Sequence, residues 1–240
     1  MSTSSLPQRG MAPDLTAANA WLDSTPPNLE KRVVLYVFWT YTCINWLRVL
    51  PYVRAWDARY RERSRETDHG ASRWVIDHCA SLPPDALVLD LAAGTGRHAE
   101  PIARLGRTVI VMDFAQRAVA AAVARYERIL GVVADANALP FGSEVFDAIV
   151  CVSFLDRSLF SAFADLLKPG GVLVYETFTR AHLDLVARGR ARGPRNPAYL
   201  LEGGELPRLV APLVVQEQEE GLVVDDAGER HVARVMAQKR

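Results

Sequence analysis

Residues 87–100 read LVLDLAAGTGRHAE, and the reading of this stretch decides the fold. The first five residues are apolar except Asp90, so a carboxylate sits at the end of a short buried strand. Gly94 and Gly96 supply a turn. The run from Gly96 to Gly106 predicts a helix in which Pro101 is tolerable only near the first turn. Glycine has no Cβ, so the backbone of such a turn passes close to whatever ligand lies against it.

The same strand-and-helix unit recurs along the chain. TVIVMD (108–113) is a strand that ends in Asp113, 19 residues after Gly94. AQRAVAAAVARYERIL (115–130) predicts a long helix, and GVVAD (131–135) a strand that ends in Asp135. A loop, ANALPFGSE, leads to a strand over 145–154, a helix over 157–167, a KPGG turn and a strand over 172–178. SRWVIDHCASL (72–82) predicts a helix ahead of this series. Beyond it come an arginine-rich loop, a helix around 199–210, and two strands near 213–220 and 230–238 joined by DDAGE. Strands that are apolar throughout and alternate with helices require a parallel sheet covered on both faces. The expected fold is α/β: a Rossmann-like, doubly wound, seven-stranded sheet. It is mostly parallel, with a C-terminal antiparallel hairpin and an N-terminal βα appendage.

Asp90, Asp113 and Asp135 lie at three successive strand ends. An acid at the end of the second strand can accept both hydroxyls of a ribose. One at the end of the third could accept an adenine amino group. Singly, each feature has a plainer reading: an ordinary turn at Gly94 and Gly96, a helix N-cap at Asp113, a loop brace at Asp135. Together they describe a nucleoside-bearing cofactor. Gly94 to Ala99 also spells G-x-G-x-x-A, the fingerprint of dinucleotide binding, so a nicotinamide-dependent oxidoreductase competes. Against it, a pyrophosphate would face the charge of Asp90, whereas a cationic sulfonium bearing an amino group is favoured there. No second domain remains to carry hydride chemistry.

The stretches VLDLAAGTG, VIVMD, ADANALPF, FDAIVCVSFL and LLKPGGVLVYETF, in this order, resemble a class I S-adenosylmethionine-dependent methyltransferase. The resemblance covers about residues 56–240, most clearly 71–240. It implies that Asp90, Ala92, Gly94 and Gly96 hold the methionine part of S-adenosylmethionine. Asp113 would bind the ribose, Phe114 would pack on adenine, and Asp135 and Ala136 would meet the adenine edge. Cys151, Val152 and Ser153 would line the end of the fourth strand beside the methyl group. Ala92 stands where the family often has glycine. The implied reaction is in-line methyl transfer to a small-molecule acceptor, in which alignment and desolvation do most of the work. A general base is optional, and Asp156, Tyr175 and Glu176 are the candidates, with Arg157 beside them. A helix cap is the plainer reading of Asp156 and Arg157. His98 is as readily a helix-terminus histidine as a cofactor contact. Four arginines at 188, 190, 192 and 195 could clamp an anionic substrate or form a solvated loop. A non-catalytic adenosylmethionine-binding or interaction module remains the alternative from another class.

The N-terminal region reads differently. Residues 1–12 are polar and predict a disordered terminus. Residues 13–56 resemble the opening of a thioredoxin-like domain, with Cys43 at the first cysteine of the redox motif and Trp46 at the second. One sulfur cannot carry out internal disulfide exchange. The stretch from Val33 to Val53 is long enough to tempt a membrane reading, but Asn45, Arg48 and Pro51 oppose it. The methyltransferase-like domain is then 57–240, and the helical run after Trp56 could lie over the cofactor, with Tyr60 or Trp74 closing that edge.

Composition bounds the partners. Lys and Arg together number 28, as do Asp and Glu, so net charge gives no reason to expect nucleic acid. Three scattered cysteines make neither a disulfide framework nor a zinc site. No charged segment followed by an apolar one opens the chain, so the expected location is cytoplasmic, with a small-molecule substrate and no membrane or nucleic-acid partner.

Overall fold

The computed structural model describes residues 34–35, 54–56, 58, 60, 70–226 and 228–240. The thioredoxin-like resemblance, Cys43 and the apolar stretch at 33–53 fall almost wholly outside the described residues. Within them, Val34–Leu35 is a two-residue strand, and Arg54, Ala55, Trp56, Ala58 and Tyr60 are helical.

From Gly70 onward the chain alternates as its apolar pattern requires. The strands are β1 (Leu87–Leu91), β2 (Thr108–Asp113), β3 (Ile129–Val133), β4 (Phe146–Val152), β5 (Leu167–Phe178), β6 (Val214–Asp225) and β7 (Gly228–Gln238). The helices are α1 (Arg73–Ala80), α2 (Ala99–Arg104), α3 (Gln116–Val123), α4 (Phe160–Leu166), α5 (His182–Ala187) and α6 (Leu206–Leu209). These strands lie side by side in the order β3-β2-β1-β4-β5-β7-β6. The first five are parallel, and β7 runs antiparallel to both β5 and β6. This is the expected doubly wound sheet with its C-terminal hairpin.

Each central strand feeds two cores. Leu89, Leu91, Ile149, Cys151 and Tyr175 join one buried cluster with Phe160 and Phe163 of α4. Val88, Val150, Val152 and Val174 join the other, with Trp74, Val75 and Cys79 of α1 and Ala99 and Ile102 of α2. Alternate side chains point to opposite faces, so burial of both faces forces the strand to be apolar throughout. Strand order reverses between β1 and β4, and ligands of such sheets bind in the crevice at the carboxyl ends there.

Three local expectations are corrected. The helix predicted over 115–130 stops at Val123. Its last residues are needed elsewhere, because Ile129 and Leu130 pair with Val109 and Ile110. The KPGG turn belongs to β5, which runs unbroken from Leu167. Lys168 is anchored there by Asp147 at 2.9 Å, and Gly170 N–H donates to Lys239 O at 3.0 Å. The helix predicted around 199–210 shrinks to a 3-10 turn at Pro197–Tyr199 and the four residues of α6. Between them, Leu201 pairs with Thr179 beside β5 instead.

Candidate functional site

The turn after β1 is built from backbone that few residues adopt. Ala92, Gly94 and Gly96 all have positive φ, at 54°, 54° and 74°. A Cβ on Gly96 would come within 2.7 Å of Ala122 Cβ in α3, so only glycine lets the turn nest against that helix. A Cβ on Gly94 would meet Tyr60 Oη at 2.8 Å. The Tyr60 hydroxyl thus packs against the Gly94 backbone. Trp74, also expected to close this edge, packs into the core under Arg234 instead.

Asp113 ends β2 and ties the turn to it. Its Oδ2 accepts from Gly94 N–H at 3.0 Å and its Oδ1 from Ala115 N–H at 2.9 Å. Burial raises its pKa, opposed by backbone N–H donors from Ala115, Gly94 and Phe114. Phe114 follows, half-buried, with the Trp56 ring edge-on at 6.3 Å. Asp135 lies two residues past β3 and caps a 3-10 turn, accepting from Asn137 N–H at 2.9 Å; Ala136 opens that turn. Val152 closes β4, and Ser153 N–H donates to Glu176 O at 2.8 Å.

Asp90 is the electrostatic anomaly of the site. It is 1 % exposed, and its Oδ2 has no hydrogen-bond partner among the described residues. Burial pushes its pKa up to about 7, with Arg97 pulling down and the neighbouring Asp113 pushing up. His98, the residue directly before α2, is 3 % exposed and held neutral: burial, then the charges of Arg97 and Arg230, lower its pKa to about 3. The two cysteines of the cores are inert by the same cause, since burial raises Cys79 to about 12 and Cys151 higher still.

The three candidate bases are all engaged. Asp156 caps the 3-10 turn Arg157–Leu159, accepting from Ser158 N–H at 2.9 Å and Ser158 Oγ at 2.6 Å, and Arg157 pairs with Glu205 at 2.6 Å. The capping alternative is what the structure shows for Asp156, whereas Arg157 reaches across to Glu205 and to the Ala198 and Leu200 carbonyls. Tyr175 is buried and donates to Phe154 O at 2.5 Å; burial holds its pKa well above the usual phenol range. Glu176 is 0 % exposed and takes a hydrogen bond from Ser72 Oγ at 2.8 Å. Arg230 and Arg234 reach the same carboxylate at 2.6 and 3.1 Å. Sequence reasoning missed this lock, because its parts come from the start of α1, the end of β5 and β7. In the arginine-rich loop, Arg190 pairs with Glu229 at 2.6 Å, while Arg188, Arg192 and Arg195 are exposed.

Among the described residues, no helix is long and apolar enough to cross a membrane, and no cluster of His, Cys, Asp or Glu could hold a metal ion.

Residues 88–171 match the family model described as a methyltransferase domain, the segment that runs from β1 into β5. Among curated proteins, the demethylmenaquinone methyltransferase of Renibacterium salmoninarum is 38% identical over 113 residues, 45% of this chain and 47% of the relative. That of Mycobacterium tuberculosis is 32% identical over 142 residues, 50% of this chain and 59% of the relative. The chain thus spans about half the length of the curated relatives it matches. Among solved structures, an S-adenosylmethionine-dependent methyltransferase of Methanosarcina mazei superposes with TM-score 0.58 at 21% identity, over 71% of this chain and 98% of that one. The geranyl diphosphate C-methyltransferase of Streptomyces coelicolor, solved with S-adenosylhomocysteine, gives 0.53 at 16% identity, over 70% of this chain and 74% of that one. At such identities these structures establish the Rossmann-like methyltransferase fold.

Proposed function

We propose that the chain transfers a methyl group from S-adenosylmethionine to a small-molecule acceptor by in-line displacement. One observation carries the reading. Asp90 is a buried carboxylate with an unpartnered oxygen beside a glycine turn, and a buried charge of this kind calls for a cation. The ammonium and sulfonium of adenosylmethionine supply one, whereas the pyrophosphate of a dinucleotide would repel it. Support also comes from the methyltransferase-domain match and from relatives that act on a quinone precursor and on geranyl diphosphate.

In this reading Asp90, Ala92, Gly94 and Gly96 cradle the methionine part, with the glycine turn letting the backbone approach. Asp113 takes the ribose hydroxyls while its loop bonds keep it oriented. Phe114, backed by Trp56, packs on adenine, and Asp135 and Ala136 meet its edge. Val152 flanks the reacting methyl. The cofactor supplies a methyl group already activated by positive sulfur. The protein's part is to align the acceptor and exclude water. Asp156, Tyr175 and Glu176 are committed to other partners, so the acceptor arrives as a nucleophile or loses its proton to solvent. We assign the methyltransferase domain to 57–240, with Tyr60 as part of the site, and read 13–56 as a thioredoxin-like fragment.

Calorimetric titration with S-adenosylmethionine, S-adenosylhomocysteine and NAD tests the reading. The first two are expected to bind and NAD not. NAD binding alone would move the chain to the oxidoreductases. Turnover against thiols, amines, phenols and carboxylates then separates an enzyme from a binding module.

A further inference from the structure

His182 is the only buried residue of α5, the helix that follows the carboxyl end of β5. The ring is held from three sides. Phe178, the last residue of β5, lies beside it with ring centroids 4.5 Å apart. From β7, His231 N–H donates to His182 Nδ1 at 3.3 Å, and the His231 ring is itself fixed to Thr179 Oγ1 at 2.6 Å. On the third side runs the arginine-rich loop. Gly193 of that loop comes so close that a Cβ there would lie 2.3 Å from His182 Nε2. Space, not backbone conformation, therefore demands glycine here. Arg190 ties the same loop to β7 through Glu229 at 2.6 Å.

These contacts fix the protonation state of the ring. Nδ1 accepts a backbone N–H, so the proton of the neutral ring sits on Nε2, the nitrogen that faces the loop. An imidazolium would carry a second proton on Nδ1, aimed at the His231 N–H, and two donors would oppose each other. Burial lowers the pKa of His182; the Arg192 backbone carbonyl opposes that shift, and the charges of Arg230 and His231 on β7 add to it. From β5 the ring meets Phe178, which is neutral. Among the described residues no carboxylate enters this balance: Glu229 is engaged by Arg190, and Asp184 of α5 is exposed. A protonated His182 has neither a counter-charge nor an acceptor in its seat, so it gains its proton by leaving.

We propose that His182 is an acid-sensitive latch on the loop at 189–196. Neutral, the ring seats Gly193 and keeps the loop strapped over α5 and β7. Protonated, it swings out, and the loop with its arginines comes free. A solvated histidine titrates near about 6.5 and the seated one lower, so the open form gains on the closed one as pH falls below about 6.5. The latch is a regulatory device and does not depend on the methyl-transfer reading.

Residue-resolved hydrogen exchange on the full chain reads the latch at two amides. His231 N–H has His182 Nδ1 as its acceptor, and Arg190 N–H donates to Leu185 O at 2.9 Å. One proton taken up on opening raises the opening constant by at most about tenfold per pH unit. With rates corrected for the intrinsic effect of pH, both amides are expected to exchange about tenfold faster at about pH 5.5 than at about pH 7.5, while β1 stays protected. His182→Asn keeps an acceptor for the His231 N–H and cannot titrate, so its corrected rates are expected to be equal at both pH values. Gly193→Ala, whose Cβ collides with Nε2, is expected to exchange fast at both. Wild-type amides indifferent to pH, an acid response that survives in His182→Asn, or unchanged protection in Gly193→Ala overturns the latch. Should His182→Asn not fold, nitrogen-15 NMR of the wild-type chain decides. It is expected to find the neutral proton on Nε2 and one titration shared by His182 and the Arg190 amide. A proton on Nδ1, or an Arg190 amide that titrates apart from His182, overturns the proposal.

Discussion

The two halves of the sheet's carboxyl edge carry acids in similar positions and use them in opposite ways. At the ends of β1 and β2, Asp90 and Asp113 take hydrogen bonds from backbone N–H groups, and Asp90 feels the charges of Arg97 and Asp113. At the end of β5, Glu176 meets two arginines and a serine. The first arrangement leaves acceptor capacity for a ligand. The second uses it up. Strand-end position therefore does not identify a functional carboxylate; what identifies it is whether the fold has already supplied its counter-charge.

The largest expected effect breaks the second half. Glu176→Ala removes the one fully buried carboxylate that Arg230 and Arg234 share and leaves them only the more exposed Asp225 and Glu219. Removing one partner of a buried ion pair costs about 3–5 kcal/mol, so the urea midpoint is expected to fall accordingly. A variant that keeps its stability but loses turnover would instead make Glu176 a catalytic base, and the contrast between the halves would disappear.

Asp113→Ala attacks the first half. Its expected effect is on binding: each hydrogen bond to this charged acceptor is worth about 1.5–3 kcal/mol, so adenosylmethionine affinity should drop at least about tenfold. The loop bonds from Gly94 and Ala115 are also lost, so some fall in stability accompanies it. Unchanged affinity by calorimetry would remove the ribose assignment.

Asp90 makes the contrast depend on pH. Its folded pKa, about 7, lies above that of an unfolded aspartate. Between about pH 4 and 7 the folded state holds a proton that the unfolded state has released, so this residue makes stability fall as pH rises through that window. Asp90→Asn should flatten that slope. A cationic ligand binds the ionised form, so affinity for S-adenosylmethionine should rise with pH through about 7 more steeply than affinity for the neutral-sulfur S-adenosylhomocysteine. Parallel pH profiles for the two ligands would mean that Asp90 does not sense the sulfonium.

Much of the first half was legible in the sequence because it is local. Leu87–Leu91 and Thr108–Asp113 are buried on both faces, so their apolar runs stop where an acid marks the crevice. The turn between them needs glycine where φ is positive, and Gly94 and Gly96 are visible as letters. The second half was not legible, since Glu176 meets Ser72 and Arg230 from 104 and 54 residues away. A local pattern contains no trace of such a pairing. Helix ends were lost for a related reason: the alanine-rich run after Gln116 favours helix past Val123, but the ladder with β2 takes Ile129 and Leu130.

The smallest expected effect sharpens the comparison at Ala92. Its φ of 54° is left-handed, a conformation costing a residue with a Cβ about 1–2 kcal/mol. Glycine would relieve that strain but lose about 0.5–1 kcal/mol to its extra freedom in the unfolded chain. Ala92→Gly is therefore expected to stabilise the protein by up to about 1 kcal/mol, or about 2–4 °C in Tm for a chain of this size. Ala92→Val should do the reverse, because a β-branched residue resists this region more strongly than alanine. The informative measurement is adenosylmethionine affinity in the glycine variant. Unchanged affinity means the strained turn is imposed by the packing of Gly96 on Ala122 and Gly94 beside Tyr60, and alanine is merely tolerated. A weaker affinity means alanine keeps the turn in the shape the ligand needs. The strain at Ala92 would then hold the loop open to the ligand, the counterpart of the ion pairs that close Glu176.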